Sequence, residues 1–406
     1  MKNRKITGNI GFGAKVLFKT QILNKDGSIA KERDWDHNLV LDIGLDMMCR
    51  DKFASLNEVC EIGTSTTPTE RDSGSITFTQ TGDTITASGA FFESGDVGRL
   101  FKYDTGEEYY ITAFTDDQNV TVDTSAAHSA TEATIYYVNQ TGLISPTKVT
   151  ENKVTGGGNC GTTYSNGVLE HKRTFLFPAE TAEVTYNEIG WGPKYDYNNT
   201  NGGTSTTRNG LGNLRFGRAI IAGGDTLQAD QQYKVAVRVQ VAFSPVTQTP
   251  VANVGNNGFD TTGDHIIAQL VTAIGQGGAN SYVDSNGYTQ GDARMEPMYT
   301  PTLAMMANTA VLPTEPASGN VNYPDLNYYT MTRGNYTEGN HYREHTKVYA
   351  PNEGNSSAIR GFMLGQNYAS DFYGHYLLKF DADQEKLDTH RLTATFRWTV
   401  SRQLVN

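Results

Sequence analysis

The clearest indication of the fold is the segment YKVAVRVQVAF, residues 233–243. Apolar residues occupy every second position in it, from Tyr233 to Phe243, and Lys, Ala, Arg and Gln fill the positions between them. Strict alternation predicts a β-strand with one face in the core and the opposite face partly exposed to solvent. A second stretch of this kind, HRLTATFRWTV at 390–400, closes the chain and predicts a strong final strand.

Composition extends this prediction from single strands to the whole chain. Glycine (42 residues) and tyrosine (22 residues) are abundant, which is typical of short strands joined by many turns. A length of 406 residues exceeds what one core normally serves, so two or three domains are expected. The sequence therefore predicts an all-β protein.

Charge and hydropathy argue against two classes of partner. The formal net charge of -11 repels both a phosphate backbone and an anionic membrane surface, so we expect no nucleic-acid partner. No apolar run approaches the roughly 18 residues that span a bilayer, so no membrane insertion is expected. The glycines in residues 6–13 also disfavour a secretory signal.

Turn signals and changes in local composition divide the chain into predicted elements and domains. Residues 15–23 and the Asp26-Gly27 turn predict an opening hairpin, residues 37–50 a short helix, and residues 61–74 a surface loop. The predicted domains are an antiparallel β-sandwich (1–74 with 140–245), an inserted small β-module (75–139) and a loop-rich, mainly β C-terminal domain (246–406). The sandwich is expected to serve assembly or attachment.

The three cysteines do not form the framework of a small secreted domain, because their number is odd in a long chain. Cys49 and Cys60 could pair if their strands are adjacent. The alternative is three reduced thiols in a protein made in a cytoplasm, with Cys160 as the third.

Two acidic or histidine-rich motifs could bind a metal. His341, Glu344 and His345 fit the H-x-x-E-H spacing of inverted zinc peptidases, but that chemistry needs a helix and the Gly-, Asn- and Pro-rich flanks disfavour one. Asp381, Asp383 and Glu385 alternate as in a Ca²⁺ loop but lack its glycine. We therefore predict no catalytic residues, no cofactor and no metal site, and the histidine motif is kept only as a weak candidate.

Aromatic residues suggest an interaction surface. The set comprises Tyr328, Tyr329, Tyr336, Tyr342 and Tyr349. These tyrosines and Trp191 in the GWGP stretch could stack on sugar rings, but tyrosine also serves protein interfaces at low entropic cost. The sequence favours an interface or core role for them.

Several motifs in residues 15–245 resemble those of bacteriophage virion structural proteins of the tail or tail-appendage type. The motifs are NLVL with GLD (38–41 and 44–46), IGTSTTPT (62–69), FLFPAE (175–180), VTYNEIGW (184–191) and LRFGRA (214–219). The departures are Phe216-Gly217, where Phe-Ser is usual, and the insertion at about 75–139, which resembles small β-modules of other phage structural proteins.

The resemblance implies a structural subunit of a virion, such as a fibre, collar or tip protein, made in the host bacterial cytoplasm. Its expected partners are copies of itself and other virion proteins, and host surface glycan is a further candidate. Alternatives are a receptor- or capsule-binding tail protein with a glycan-binding C-terminal region, and a head decoration or head-fibre protein. A tail-associated glycan hydrolase or metal peptidase is the enzymatic alternative. The resemblance defines no catalytic residues.

Overall fold

The structure is a computed structural model that describes most of the chain. The described residues are 2–50, 58–154, 159–165, 168–193, 195–196, 206–207, 216–244, 247–248, 266–270, 282–283, 289–290, 302–307, 328–337, 339–368 and 371–403. Nearly all of its regular structure is β, in mixed and antiparallel sheets, so the all-β prediction is confirmed.

The elements follow one another in this order. The first half of the described chain contains β1 (Lys2–Leu23), β2 (Ile29–Glu32), β3 (Asp36–Val40), α1 (Asp42–Arg50), β4 (Val59–Gly63), β5 (Glu70–Asp72), β6 (Phe78–Ala87), a 3-10 turn (Ser94–Asp96), β7 (Leu100–Tyr103), β8 (Glu108–Phe114), β9 (Asn119–Thr131), β10 (Ala133–Tyr136), β11 (Pro146–Thr150), β12 (Gly161–Ser165), β13 (Val168–Leu176) and β14 (Val184–Gly192).

The second half contains β15 (Tyr195–Asp196), β16 (Thr206–Thr207), β17 (Gly217–Leu227), β18 (Gln232–Ser244), β19 (Thr247–Gln248), β20 (Ile266–Leu270), β21 (Tyr282–Val283), β22 (Thr289–Gln290), β23 (Thr302–Ala307), β24 (Tyr328–Thr330), β25 (Thr332–Arg333), β26 (Tyr342–Tyr349), β27 (Ser356–Tyr368), β28 (Asp371–Lys386) and β29 (His390–Arg402).

The largest sheet has 13 strands, with β11-β4-β14-β17-β3-β1-β18-β13-β12 as its main path. The central strand is β1, whose 22 residues are long enough to serve several neighbours. Its second half pairs antiparallel with β18, and its first half pairs parallel with β29 from the end of the chain. β29 in turn pairs with β26, so residues 342–349 join the same sheet.

One hydrophobic cluster lies along this sheet. It contains the inward residues of β18 from Tyr233 to Val241, together with Phe12 from β1 and Phe396 and Trp398 from β29. The Phe12 and Trp398 rings stack with their centroids 5.6 Å apart. The N- and C-terminal strands therefore bury their side chains in a common core.

A second sheet of six strands, β5-β10-β7-β8-β9-β6, lies within residues 70–136 and has a hydrophobic cluster of its own. Phe78 packs edge-on against both Phe91 and Phe101 in it.

The predicted division into domains stays a prediction. The large sheet contains strands from both sides of the predicted domain boundary at residue 246, because β26 and β29 belong to it. Further along the chain, β19-β20-β28-β27-β23-β24 form a third sheet.

Two predicted elements have different bounds. The helix begins at Asp42 and not at residue 37, because residues 36–40 form β3, which pairs with both β1 and β17. The predicted loop at 61–74 also contains paired backbone, since its first residues finish β4 and residues 70–72 form β5. In both places strand pairing with distant segments overrides the local pattern.

Candidate functional site

Four of the motifs noted in the sequence, NLVL, IGTSTTPT, VTYNEIGW and LRFGRA, are distant in sequence but contribute to adjacent strands. β4, β14, β17 and β3 lie next to one another in the large sheet. Glu188 on β14 is opposite Gly63 on β4, and Arg218 on β17 is opposite Leu39 on β3. We call these four strands the motif strands.

A buried ion pair lies at their centre. The Arg218 Nε donates to Glu188 Oε2 at 2.9 Å, and neither side chain is exposed to solvent. Burial lowers the pKa of the Arg218 guanidinium, and the hydrogen bond to the Glu188 carboxylate opposes this shift. Because an arginine stays protonated at any pH a protein meets, the pair is a true buried salt bridge.

Both partners also bind the connections to the second sheet. The Glu188 carboxylate accepts hydrogen bonds from the backbone N–H groups of Ile144 (3.0 Å) and Ser145 (2.7 Å). Arg218 donates to the Thr67 carbonyl at 2.8 Å and to Gln140 Oε1 at 3.1 Å. Residues 64–69 and 137–145 are the two segments that lead into and out of that sheet, so one ion pair fixes both of them.

Glycines make room for this arrangement. A Cβ at Gly63 would overlap the Ser145 carbonyl and lie 2.5 Å from Glu188 Oε1. A Cβ at Gly217 would overlap the Asn38 amide. Position 217 therefore requires glycine, since even a serine side chain has no space there beside Asn38.

Gly63→Ala is expected to lower the free energy of unfolding by about 1–3 kcal/mol, because overpacking forces the Ser145 backbone or the buried carboxylate to move. Urea denaturation of the variant checks this. Gly89→Ala is the matched control, since a Cβ there would meet no atom within 4 Å. Equal stability of the two variants would contradict the assignment of Gly63.

A second polar contact joins the two sheets. Arg402, at the end of β29, donates to the Val40 carbonyl at 3.0 Å and to the Tyr110 hydroxyl at 2.9 Å, and it pairs with Asp42. The Tyr110 hydroxyl, from β8 of the second sheet, donates to Asp42 at 2.9 Å. Burial raises the pKa of Tyr110 to about 12, so the hydroxyl keeps its proton at neutral pH. We call this contact and the Glu188–Arg218 contact together the junction.

A third buried carboxylate lies on β17. Asp225 accepts hydrogen bonds from the hydroxyls of Thr20 (2.8 Å) and Tyr233 (2.7 Å) and from Arg33 Nε (2.7 Å), and it pairs with Lys31 at 2.7 Å. Burial alone would raise the pKa of Asp225, but the four donors outweigh it and hold the pKa below its ordinary value. The ionised carboxylate thus binds β1, β18 and the β2–β3 connection to β17.

The lowered pKa of Asp225 predicts a pH dependence of stability. A carboxylate whose pKa falls on folding stabilises the native state above its unfolded pKa, and this contribution is lost as the pH drops through the folded value. Asp225→Asn should cost about 1–3 kcal/mol at pH 7. Urea denaturation should show that the difference between the wild type and the variant narrows below a pH of about 4. A difference independent of pH would contradict this role.

The residues of the weak zinc candidate, His341, Glu344 and His345, do not lie on a helix. His341 precedes β26, and Glu344 and His345 lie on that strand, so the helix that the chemistry requires is missing. Glu344 pairs with Arg397 at 2.6 Å, while His345 is buried. Among the residues that the structure describes, no group of three His, Cys, Asp or Glu side chains could hold a metal ion.

The five tyrosines do not form one surface. Tyr336 and Tyr349 are core residues, at 6% and 0% exposure, so the prediction of an interaction surface does not hold for them. Tyr329 packs partly buried against the same core, and Tyr342 is half-buried beneath Arg397. Tyr328 lies in β24, and its side chain is outside the described part. Trp191 is likewise buried and cannot stack on a sugar.

The remaining predicted residues have the following positions. None of the three cysteines forms a disulfide, so Cys49 and Cys60 do not pair; both are buried, and Cys160 is half-buried. The carboxylates at 381, 383 and 385 fall within β28, and their side chains are outside the described part. No helix in the described part of the chain is long and apolar enough to cross a membrane.

The ionic residues of the junction were not predicted. One signal could have found Arg402, because the alternation that predicts β29 continues from Val400 to place residue 402 on the inward face. For Glu188 and Arg218 the only local sign is a charge amid apolar and glycine residues.

No protein-family model, curated protein or solved structure matches this chain.

Proposed function

We propose that this protein is a structural subunit of a bacteriophage virion, of the tail or a tail appendage, and that it acts by assembling with copies of itself and other virion proteins. The observation that carries the proposal is the junction. Three of the motifs that prompted this proposal, IGTSTTPT, VTYNEIGW and LRFGRA, meet there at one buried ion pair, which binds the connections to a second β-sheet.

The chemistry of the junction favours a mechanical role. Its charged groups are buried and bind backbone carbonyls and N–H groups of the connecting segments, so their hydrogen-bonding capacity goes into fixing the chain. An active site would instead direct such groups at a space that a substrate can enter. A rigid pair of sheets is what a subunit needs when it must present a fixed surface to its neighbours.

Symmetric assembly is the expected setting. Virion parts repeat by rotational symmetry, and an acidic chain is kept soluble by self-repulsion until a specific surface is available. The proposed location is therefore the virion, after synthesis in the host bacterial cytoplasm.

Quantitative mass spectrometry of gradient-purified particles tests this proposal. The chain should co-purify with the particles at a fixed copy number that matches a rotational symmetry, and should resist removal by salt. The matched control is a particle preparation from a phage that lacks this gene. Recovery of the chain only in the cell lysate, with none in the particles, would overturn the proposal.

A further inference from the structure

Most of the negative charge of the chain lies in one segment. Residues 70–136, which contain the second sheet, have twelve Asp and Glu side chains against three Lys and Arg side chains, so their formal net charge is -9. The whole chain has a formal net charge of -11, so the charges of all the other residues sum to only -2.

The three cations of this segment are paired or buried. Arg71 pairs with Glu93 at 2.9 Å and with Asp96 at 2.5 Å. Arg99 pairs with the same aspartate at 2.6 Å, and Lys102 is buried. Asp96 is buried as well, whereas the other eleven carboxylates are exposed. The solvent-facing surface of the second sheet is therefore strongly acidic.

Three of the exposed carboxylates lie together at one end of this sheet. Asp104 and Glu107 begin and end the turn that joins β7 to β8. The Asp104 backbone N–H donates to the Glu132 carbonyl at 3.1 Å, which holds the β9–β10 connection beside this turn. We call Asp104, Glu107 and Glu132 the acidic tip.

A basic surface lies on the large sheet, on the outward side of β1, β18 and β13. Directly paired residues of antiparallel strands point to the same side of a sheet, and so do residues two positions apart in one strand. Arg238 of β18 is paired with Leu17 of β1 and with Lys172 of β13. The cations that share this side are Lys15, Lys19, Lys172, Lys234 and Arg238, all partly exposed. We call these five side chains the basic face.

Carboxylates neutralise only part of the basic face. Two of its cations are paired, Lys19 with Glu32 at 2.5 Å and Arg238 with Glu170 at 3.3 Å. Five cations against two carboxylates leave an excess of three positive charges. Burial lowers the pKa of the Lys172 ammonium, and the Arg238 guanidinium adds to this shift, so these two cations lie close enough to repel each other. An anionic partner would relieve this repulsion.

The centre of the basic face has the composition of a protein interface. The Arg238 guanidinium lies over the Trp35 indole, with its central carbon 3.9 Å from the ring centroid, and the Lys172 ammonium lies 5.9 Å from the same centroid. Leu17, the residue opposite Arg238, is partly exposed. Tryptophan and arginine are enriched among the residues that contribute most to binding between proteins. A partner can therefore bury an aromatic and an aliphatic side chain inside a ring of charges.

We infer that the basic face of one copy of this protein binds the acidic tip of a second copy. The three carboxylates of the tip match the excess of three positive charges on the face. Copies with a net charge of -11 repel each other in most orientations, and attraction replaces repulsion where the face meets the tip. The inference rests on the proposed function, which requires copies of the chain to associate, and adds the two surfaces through which they do so.

Sedimentation velocity of the full chain at low and high salt tests this contact. The Debye length falls from roughly 20 Å at about 20 mM salt to roughly 4 Å at about 500 mM, so charges across the interface attract each other strongly only in the first condition. The wild type should self-associate at low salt, and the association should weaken by about tenfold or more at high salt.

Charge reversal locates the contact. Lys15→Glu with Lys234→Glu reverses the face, and neither lysine pairs with a carboxylate in the described part of the chain. Asp104→Lys with Glu107→Lys reverses the tip. Each double variant alone should associate about tenfold more weakly or worse at low salt. An equimolar mixture of the two should associate again, because the intact tip of the first variant meets the intact face of the second.

Lys25→Glu with Arg391→Glu is the matched control, since it changes the net charge by the same amount at two exposed positions outside the basic face. It should associate about as strongly as the wild type. Circular dichroism and thermal melts show whether each variant is folded. If a reversed variant is unstable, the neutral changes Lys15→Gln with Lys234→Gln, or Asp104→Asn with Glu107→Gln, take its place and should also weaken association.

A wild type that stays monomeric at low salt would overturn the inference. So would association that the reversals leave intact, that the control loses to the same extent, or that the mixture does not restore. The particle analysis fails separately. A chain present in particles but without this contact would keep the proposed function and remove the inference, whereas a chain that self-associates as expected but is absent from particles would remove the virion role alone.

Discussion

Arg218→Ala is expected to lower the free energy of unfolding by about 3–5 kcal/mol, among the largest effects of any single substitution in this protein. The change leaves the Glu188 carboxylate buried without its counter-ion, and it removes the donors to the Thr67 carbonyl and the Gln140 side chain. Urea denaturation, followed by circular dichroism, measures the loss.

Arg397→Ala is the matched control, because Arg397 forms the same kind of pair with Glu344 on an exposed strand face. That exposed pair should contribute no more than about 1 kcal/mol. Glu188→Leu combined with Arg218→Met should recover part of the loss, since no buried charge is then left alone, although the backbone groups of the connecting segments stay unsatisfied. Equal losses for Arg218→Ala and Arg397→Ala would contradict the account of the junction.

Trp398→Ala should cost about 3–5 kcal/mol, since it opens a cavity against Phe12 in the core of the large sheet. The loss should appear as a lower midpoint of the single transition that reports on this core. It follows from the parallel pairing of β1 with β29, which places the last strand among the central ones.

Arg391→Ala, on the outward face of the same strand, is the control and should change stability by less than about 0.5 kcal/mol. Trp398→Phe keeps an aromatic ring beside Phe12, so its loss of unfolding free energy should lie between those of Trp398→Ala and Arg391→Ala. If Trp398→Ala were as stable as Arg391→Ala, the C-terminal strand would not belong to the core.

Sequence patterns predicted the strands whose apolar residues alternate strictly. The inward side chains of β18 up to Val241, such as Val237, and those of β29, such as Phe396, are buried as the alternation requires. A period of two is decisive because a slip of one residue would turn every apolar side chain to solvent.

Non-local contacts account for what sequence patterns missed. The apolar spacing of residues 37–50 is near helical, yet the first part of that stretch pairs with two distant strands and only the remainder is helical. The H-x-x-E-H motif fits a helix, but β29 pairs with it as a strand. Glu188 and Arg218 are 30 positions apart, so no local pattern could identify them as partners.

Electron cryomicroscopy of the intact particle is the most direct test of the proposed virion role. We expect density in symmetric copies at the tail or its appendages, into which the large sheet and the six-stranded sheet fit together in the orientation that the junction sets. Particles complete in every other component but without density for this chain would contradict the proposed role.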